Sequence, residues 1–263
     1  MGTTDVASSI SSHLIVGTHP PVVRISLRNP PLNVIDFPMM DELARTLTEA
    51  EGRTDVSILV FAGEGNDFSG GVDIAAHAPD KVEEMLARFH AVIRMLVGTR
   101  KVTVAVARGR CLGGGAELAL VCDMAFTTDD AEWGFPEVKL GCYPPVAVTA
   151  LSAVVGQKRA AELILSGRTI TGRDAASIGL ATRSVPEAEL GAVVEGCVAS
   201  LAQLSPAALA VAKKAMYAWD AVHFDKGLAR AEKIYLEELM KTEDAKEGIE
   251  AFLQRRKPVW KGR

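Results

Sequence analysis

The chain has 263 residues, 48% hydrophobic and 24% charged, with 29 Lys and Arg against 33 Asp and Glu and a formal net charge of −4. A chain of this size buries a full core without covalent staples, and its acidic balance argues against a nucleic-acid protein, which carries a basic face. Four cysteines, Cys111, Cys122, Cys142 and Cys197, form no CxxC pair and have no histidine cluster beside them. That spacing points away from a zinc site or a disulfide framework and toward a reducing compartment.

The first 20 residues have no basic segment, no long apolar run and no arginine before Arg24. Neither a secretory nor a mitochondrial leader is expected, and no run of 18 apolar residues suggests a membrane span, so the expected location is cytoplasmic. VVRISL (22–27) reads as a strand, and NPPLNV as the turn after it. Met40, Leu43, Leu47 and Ala50 recur at helical spacing and predict a helix over about 37–51. VSILVFAG (56–63) is continuously apolar, as suits a strand covered on both faces. The glycine-rich loop GEGNDFSGGVD comes next. Val82, Met85, Leu86, Phe89, Ile93 and Leu96 then make one face of a helix, with Asp80 as its expected cap and Gly98 as its end. KVTVAVARG (101–109) is another strand, CLGGG opens another helix, and DMAFTT is a fourth strand.

This alternation predicts an α/β fold. Beyond about residue 145 the strand signal fades. Segments 155–167, 171–179, 186–204, 205–219 and 228–241 all read as helices. The last fifty residues are charge-rich yet keep apolar stripes, including Tyr235, Leu236, Leu239 and Met240. No Pro- or Ser-rich linker divides the chain, so one core with a helical C-terminal extension is expected.

Candidate chemistry gathers around three glycines, 113–115. Backbone N–H groups at a helix start are unpaired, and glycine lets a ligand approach them. Two such groups aimed at one oxygen form an oxyanion hole; a tight strand-to-helix connection accounts for the triplet equally well. Glu117 stands just beyond, on the edge of the apolar run Leu118–Val121. The helix dipole alone would favour a carboxylate there, while burial would raise its pKa. Glu137 comes directly after Pro136 and so stands after a bend, where a solvated loop acid is the plain reading. FSGGVD (68–73) is a second glycine-rich loop and a second source of N–H donors. GxGxxG and the P-loop pattern are absent.

Taken in order, SGGVDI (69–74), RGRCLGGGAELALVCD (108–123) and AEWGFPEVKLG (131–141) resemble the enoyl-CoA hydratase/isomerase (crotonase) superfamily. NPPLNVID (29–36), LILSGRTITGRDAASIGLATRSV (163–185) and TEDAKEGIEAFLQRRKPVW (242–260) extend the resemblance over nearly the whole chain. It implies a spiral of ββα units over 1–200 that carries the CoA and acyl site, and a C-terminal helical trimerisation region over 201–263. It also implies a CoA thioester substrate, an oxyanion hole from the N–H groups of Val72 and Gly114, and Glu117 and Glu137 as acid/base catalysts. Gly71, Asp73, Ile74 and Gly113 become substrate-binding positions. Hydration of a C=C conjugated to the thioester is the implied reaction, because both glutamates are present. Enoyl-CoA isomerisation, thioester hydrolysis and, more remotely, non-catalytic RNA binding through a basic helix are the alternatives. No metal or separate cofactor is implied, since coenzyme A is part of the substrate. The implied assembly is a homotrimer or a dimer of trimers, without nucleic acid or membrane.

The chain departs from the simplest hydratase pattern. Ala75 and Pro31 stand where many members carry CoA-contacting lysines. Arg28, Lys81 and a neighbouring subunit's Phe252 and Arg255 are the replacement candidates. YPPVAVTAL (143–151) replaces a glycine-rich stretch, which alters the wall beside Glu137. GVDIAAHAPDKVEEML (71–86) with LGCYPPVA (140–147) is similar to the cyclohexa-1,5-diene-1-carbonyl-CoA hydratase subgroup. That similarity makes a cyclic dienoyl-CoA the more specific expectation, with His77 and Tyr143 lining the acyl pocket.

Overall fold

The computed structural model describes residues 7–217 and 220–263. The first six residues and the last two of the expected helix at 205–219 lie outside them. In chain order the elements are β1 (Ala7–Ile10), β2 (Leu14–His19), β3 (Val22–Leu27), α1 (Phe37–Gly52), β4 (Ile58–Gly63), α2 (Val82–Gly98), β5 (Val102–Ala107), β6 (Arg110–Leu112), α3 (Gly114–Leu120), β7 (Met124–Thr128) and β8 (Glu132–Gly134). Then come α4 (Pro145–Val155), α5 (Gln157–Ser166), β9 (Thr169–Thr171), α6 (Gly172–Ser177), β10 (Arg183–Val185), α7 (Glu187–Ala202), α8 (Pro206–Tyr217), α9 (Asp220–Glu237) and α10 (Glu243–Leu253).

Among the described residues, seven strands form one sheet in the order β1-β2-β3-β4-β5-β7-β10. The pairs are antiparallel up to β3 and parallel beyond it. The apolar runs are covered on both faces, as expected. Leu59 and Phe61 point into a large core with α1, α2 and α3. Ile58 and Val60 point into a second core closed by Leu190, Val194 and Val198 of α7. Alternation by face is hidden in such a strand because both faces are apolar. Lys213 of α8 reaches the same sheet, where its Nζ donates to Asp123 Oδ2 and to Lys101 O, both at 2.8 Å.

β6, β8 and β9 form a separate three-stranded sheet, with β6 and β8 parallel and Leu112 opposite Gly134. This small sheet positions the site, because the segments leaving Leu112 and Gly134 must emerge side by side.

The apolar face expected of α2 is buried as a block. Its expected cap is not made: Lys81 occupies the capping position and no side chain caps the helix. The turn before it supplies the bond instead, with the N–H groups of Lys81 and Val82 both donating to Ala78 O at 2.9 Å. The cations of this helix are taken up by acids: Arg88 by Asp41 and Glu84, and Arg94 by Asp225 and Glu232. No single helix among the described residues is long and apolar enough to cross a membrane.

Candidate active site

Gly113 N–H donates to Gly134 O at 2.9 Å, extending the β6–β8 pairing by one residue. α3 begins at Gly114 and a short 3-10 helix, Pro136–Leu140, begins just beyond Gly134. Glu117 lies in the first turn of one and Glu137 in the first turn of the other. Gly113 has φ +51, a conformation that disfavours side chains, and a Cβ there would lie 2.7 Å from Glu137 Oε1. The glycine is therefore needed for both the turn and the carboxyl.

The loop at 69–73 is tied to the same corner. Ser69 N–H donates to Arg110 O and Leu112 N–H to Ser69 O, a bridge that sets Gly71 and Val72 against Gly113 and Gly114. On the loop's other side Ile35 N–H donates to Gly71 O and Asp73 N–H to Ile35 O. Val72 N–H must then face away from Ile35, toward α3. A Cβ on Gly114 would lie 3.4 Å from Val72 N, and one on Gly71 would lie 3.5 Å from Gly114 N. Among the described residues neither Val72 N–H nor Gly114 N–H donates to any oxygen. Two unspent amides lie close together, the arrangement an oxyanion hole needs.

Glu117 is 3% exposed. Its Oε1 accepts from Val146 N at 2.8 Å and Ala147 N at 3.0 Å. These are the second and third amides of α4, which starts at Pro145 and has no side-chain cap of its own. A proline at the first helical position is favourable because its missing N–H is not needed there. The PPVA stretch that breaks the glycine-rich pattern is thus a helix start, and Glu117 acts as its cap. Burial raises the Glu117 carboxyl to about 7, and the two N–H donors hold it from rising further. Glu137 is raised well above the carboxylate range, first by burial and then by the charge of Glu117. Part of the residue is accessible, but its Oε2 is buried without a hydrogen-bond partner.

These shifts set a pH dependence of stability. Between about pH 4.5 and 7 the folded protein keeps protons that the unfolded chain releases, so rising pH favours unfolding. The Glu117 shift alone corresponds to about 3 kcal/mol lost once pH exceeds 7. Glu137→Gln removes the charge conflict. Its melting temperature is expected to gain on the wild type steadily from pH 5 to pH 9, and parallel curves across that range would contradict the assigned burial.

Both carboxyls open on a cavity of about 420 Å³. Gly71, Val72, Ile74, Gly113 and Gly114 line it, as do His77, Tyr143 and Phe252. Asp73 does not line the cavity; it shapes the loop, its Oδ1 accepting from Ala75 N at 3.1 Å. His77 ends a short 3-10 helix with its Nδ1 3.0 Å from Asp73 O, and loss of solvent lowers its pKa. Tyr143 donates to Ala231 O at 2.6 Å and stacks edge-on against Tyr235, ring centres 5.1 Å apart. Phe252 of this chain also reaches this wall. Arg28, Lys81 and Arg255 lie off the cavity wall, and Arg28 is paired with Glu64 at 3.0 Å. Tyr235 and Phe252, from beyond the expected boundary at 200/201, also border this cavity.

The enoyl-CoA hydratase/isomerase family matches residues 17–263. The chain belongs to this family. It is 33% identical over 242 residues to the cyclohexa-1,5-dienecarbonyl-CoA hydratase of Thauera aromatica, covering 92% of this chain and 93% of the relative. It is 34% identical over 247 residues to a probable enoyl-CoA hydratase of Bacillus subtilis, covering 92% and 95%. Its fold matches the crystal structure of an enoyl-CoA hydratase from Mycobacterium avium subsp. paratuberculosis, with a TM-score of 0.85 at 27% identity over 96% of this chain and 99% of that one. The crotonase-type α/β fold with a helical C-terminal region is thereby established.

Among the cavity residues that sequence reasoning missed are His90 and Tyr235. His90 falls on the apolar stripe of α2 between Leu86 and Ile93, and a polar residue inside such a stripe was the signal that could have found it. Tyr235 was read only as part of an apolar stripe.

Proposed function

We propose that the protein hydrates the C=C of an enoyl-CoA thioester. The observation that carries this reading is the pair of carboxyls with raised pKa values facing one cavity that also holds two free amide donors. Glu117, whose carboxylate form the α4 amides stabilise, takes a proton from water as the water oxygen bonds to the β-carbon. Glu137, with the higher pKa, keeps its proton at neutral pH and delivers it to the α-carbon. Val72 N–H and Gly114 N–H hold the thioester oxygen while it carries enolate charge. The scheme balances with water as the only co-reactant and uses no cofactor.

A cyclic dienoyl-CoA is the proposed substrate, on the relative from Thauera aromatica and on the aromatic wall made by Tyr143 and Tyr235. Arg28, Lys81 and a neighbouring subunit's Phe252 and Arg255 remain the proposed contacts to CoA. Val148 and Val154 of α4 are exposed beside a second, largely apolar cavity of about 600 Å³, which supports burial against other copies in a homotrimer or dimer of trimers.

A spectrophotometric assay with crotonyl-CoA and with cyclohexa-1,5-diene-1-carbonyl-CoA tests the reaction. Hydration of the cyclic substrate with the higher kcat/KM is expected. Hydration of neither would overturn the reading. Sedimentation equilibrium at a mass of three or six chains is the expected outcome for the assembly, and a monomer mass would contradict it.

A further inference from the structure

The two carboxyls are held in different ways. Two α4 amides fix the Glu117 carboxyl. The Glu137 carboxyl has no such donors. Among the described residues its Oε2 makes no hydrogen bond, and the one bond that favours its charge comes from its own backbone N–H. The place of the Glu137 carboxyl is therefore set by where its backbone is packed. The room there is small, since a Cβ on Gly113 would lie 2.7 Å from Glu137 Oε1.

Glu137 rides on the 3-10 helix Pro136–Leu140, which is closed by Gly141 N–H to Val138 O at 3.2 Å and Cys142 N–H to Glu137 O at 3.0 Å. These bonds tie residues 137–142 into one piece. The end of that piece is seated on α10, backbone against backbone. A Cβ on Gly248 would overlap Leu140 C and Leu140 O and would lie 3.0 Å from Gly141 N. From the other side, a Cβ on Gly141, which has φ +69, would lie 2.6 Å from Asp244 O and 3.2 Å from Ala245 Cα. Backbone atoms cannot swing aside as the tip of a side chain can. Gly248 is buried in the middle of α10, where glycine weakens a helix relative to alanine. Close approach of a second backbone is a physical reason for a glycine there. α10 is itself firmly held: Thr242 Oγ1 accepts from Ala245 N at 3.1 Å at its start, and Ile249 is part of the large core.

We propose that Gly248 and Gly141 are positioning residues for Glu137: the backbone of α10, seated on the end of the 3-10 helix, fixes where the Glu137 carboxyl stands in the cavity. This rests on the proton-donor role given to Glu137 above. It gives a helix of the C-terminal region, expected from the sequence to serve assembly, a part in the chemistry. Neither glycine touches the substrate; both act through the backbone that carries Glu137.

A double-mutant cycle on the full-length protein tests this, read as turnover of the better of the two enoyl-CoA substrates above. Gly248→Ala is expected to lower kcat by about 10–100-fold, since a misplacement of about 1 Å costs up to about 10²-fold. KM is expected to change by less than about 3-fold, because the Val72 and Gly114 amides are not touched. In the Glu137→Gln background the same substitution is expected to cost less than about 3-fold, because the group it misplaces is already gone. An equal factor in both backgrounds, which a merely structural role would give, overturns the inference, and so does an unchanged kcat. If Gly248→Ala does not fold, Gly141→Ala perturbs the same junction from the other side and decides. The melting-temperature gain of Glu137→Gln between pH 5 and pH 9 needs no turnover. In the Gly248→Ala background that gain is expected to fall to about half or less, because the carboxyl leaves its desolvated place. An undiminished gain overturns the inference. Full turnover by Glu137→Gln alone would refute the proton-donor role itself, whereas its loss with equal factors for Gly248→Ala would refute only the positioning.

Discussion

Glu117→Gln and Glu137→Gln are each expected to lower kcat on an enoyl-CoA by about 10²–10⁴-fold, the usual worth of a positioned acid or base. Glutamine at 117 still accepts the N–H groups of Val146 and Ala147, so the start of α4 survives and the loss is chemical. Glutamine at 137 occupies the same volume and has no acidic proton to deliver. The two act in one step on one substrate. The double variant is therefore expected to be little worse than the poorer single variant. Activity should require the singly protonated pair, rising as Glu117 ionises near pH 7 and falling when Glu137 loses its proton. Full turnover by Glu117→Gln with loss in Glu137→Gln would favour one-acid isomerase chemistry instead.

Gly114→Ala is expected to lower kcat by about 10²–10³-fold, the range for loss of one oxyanion donor. The added Cβ would lie 2.6 Å from Val72 Cγ2 and 3.2 Å from Phe89 Cζ. Relief requires Val72 to move, and its N–H moves with it. The same packing argument applies at Gly115, where a Cβ would lie 2.6 Å from Ser69 Cβ. Gly191→Ala on α7 is the control, since nothing lies within 4 Å of its Cβ position. It should leave kcat unchanged. Equal activity of Gly114→Ala and the control would remove Gly114 N–H from the scheme.

The sequence was most readable where burial is one-sided or complete. β3 and α2 declared themselves through apolar residues at a fixed period, and β4 and β5 through runs covered on both faces. The small sheet was invisible because a three-residue strand carries no period. Yet that sheet sets Gly113 beside Glu137. The two carboxyls were legible as a site only through the order of motifs along the chain. α4 was missed because its two prolines read as a disrupted wall, whereas Pro145 starts the helix that holds Glu117. His90 escaped because its partner on the neighbouring helix, Glu232, is 142 residues away in sequence.

The most direct test of the proposed chemistry is to run the reaction in oxygen-18-labelled water and locate the label by mass spectrometry. Addition of water across the double bond puts one labelled oxygen on the β-carbon of an intact acyl-CoA, and that is the expected result. Label in a free carboxylic acid would show thioester hydrolysis, and an unlabelled product with a shifted double bond would show isomerisation. Either would contradict the two-glutamate hydration assigned to Glu117 and Glu137.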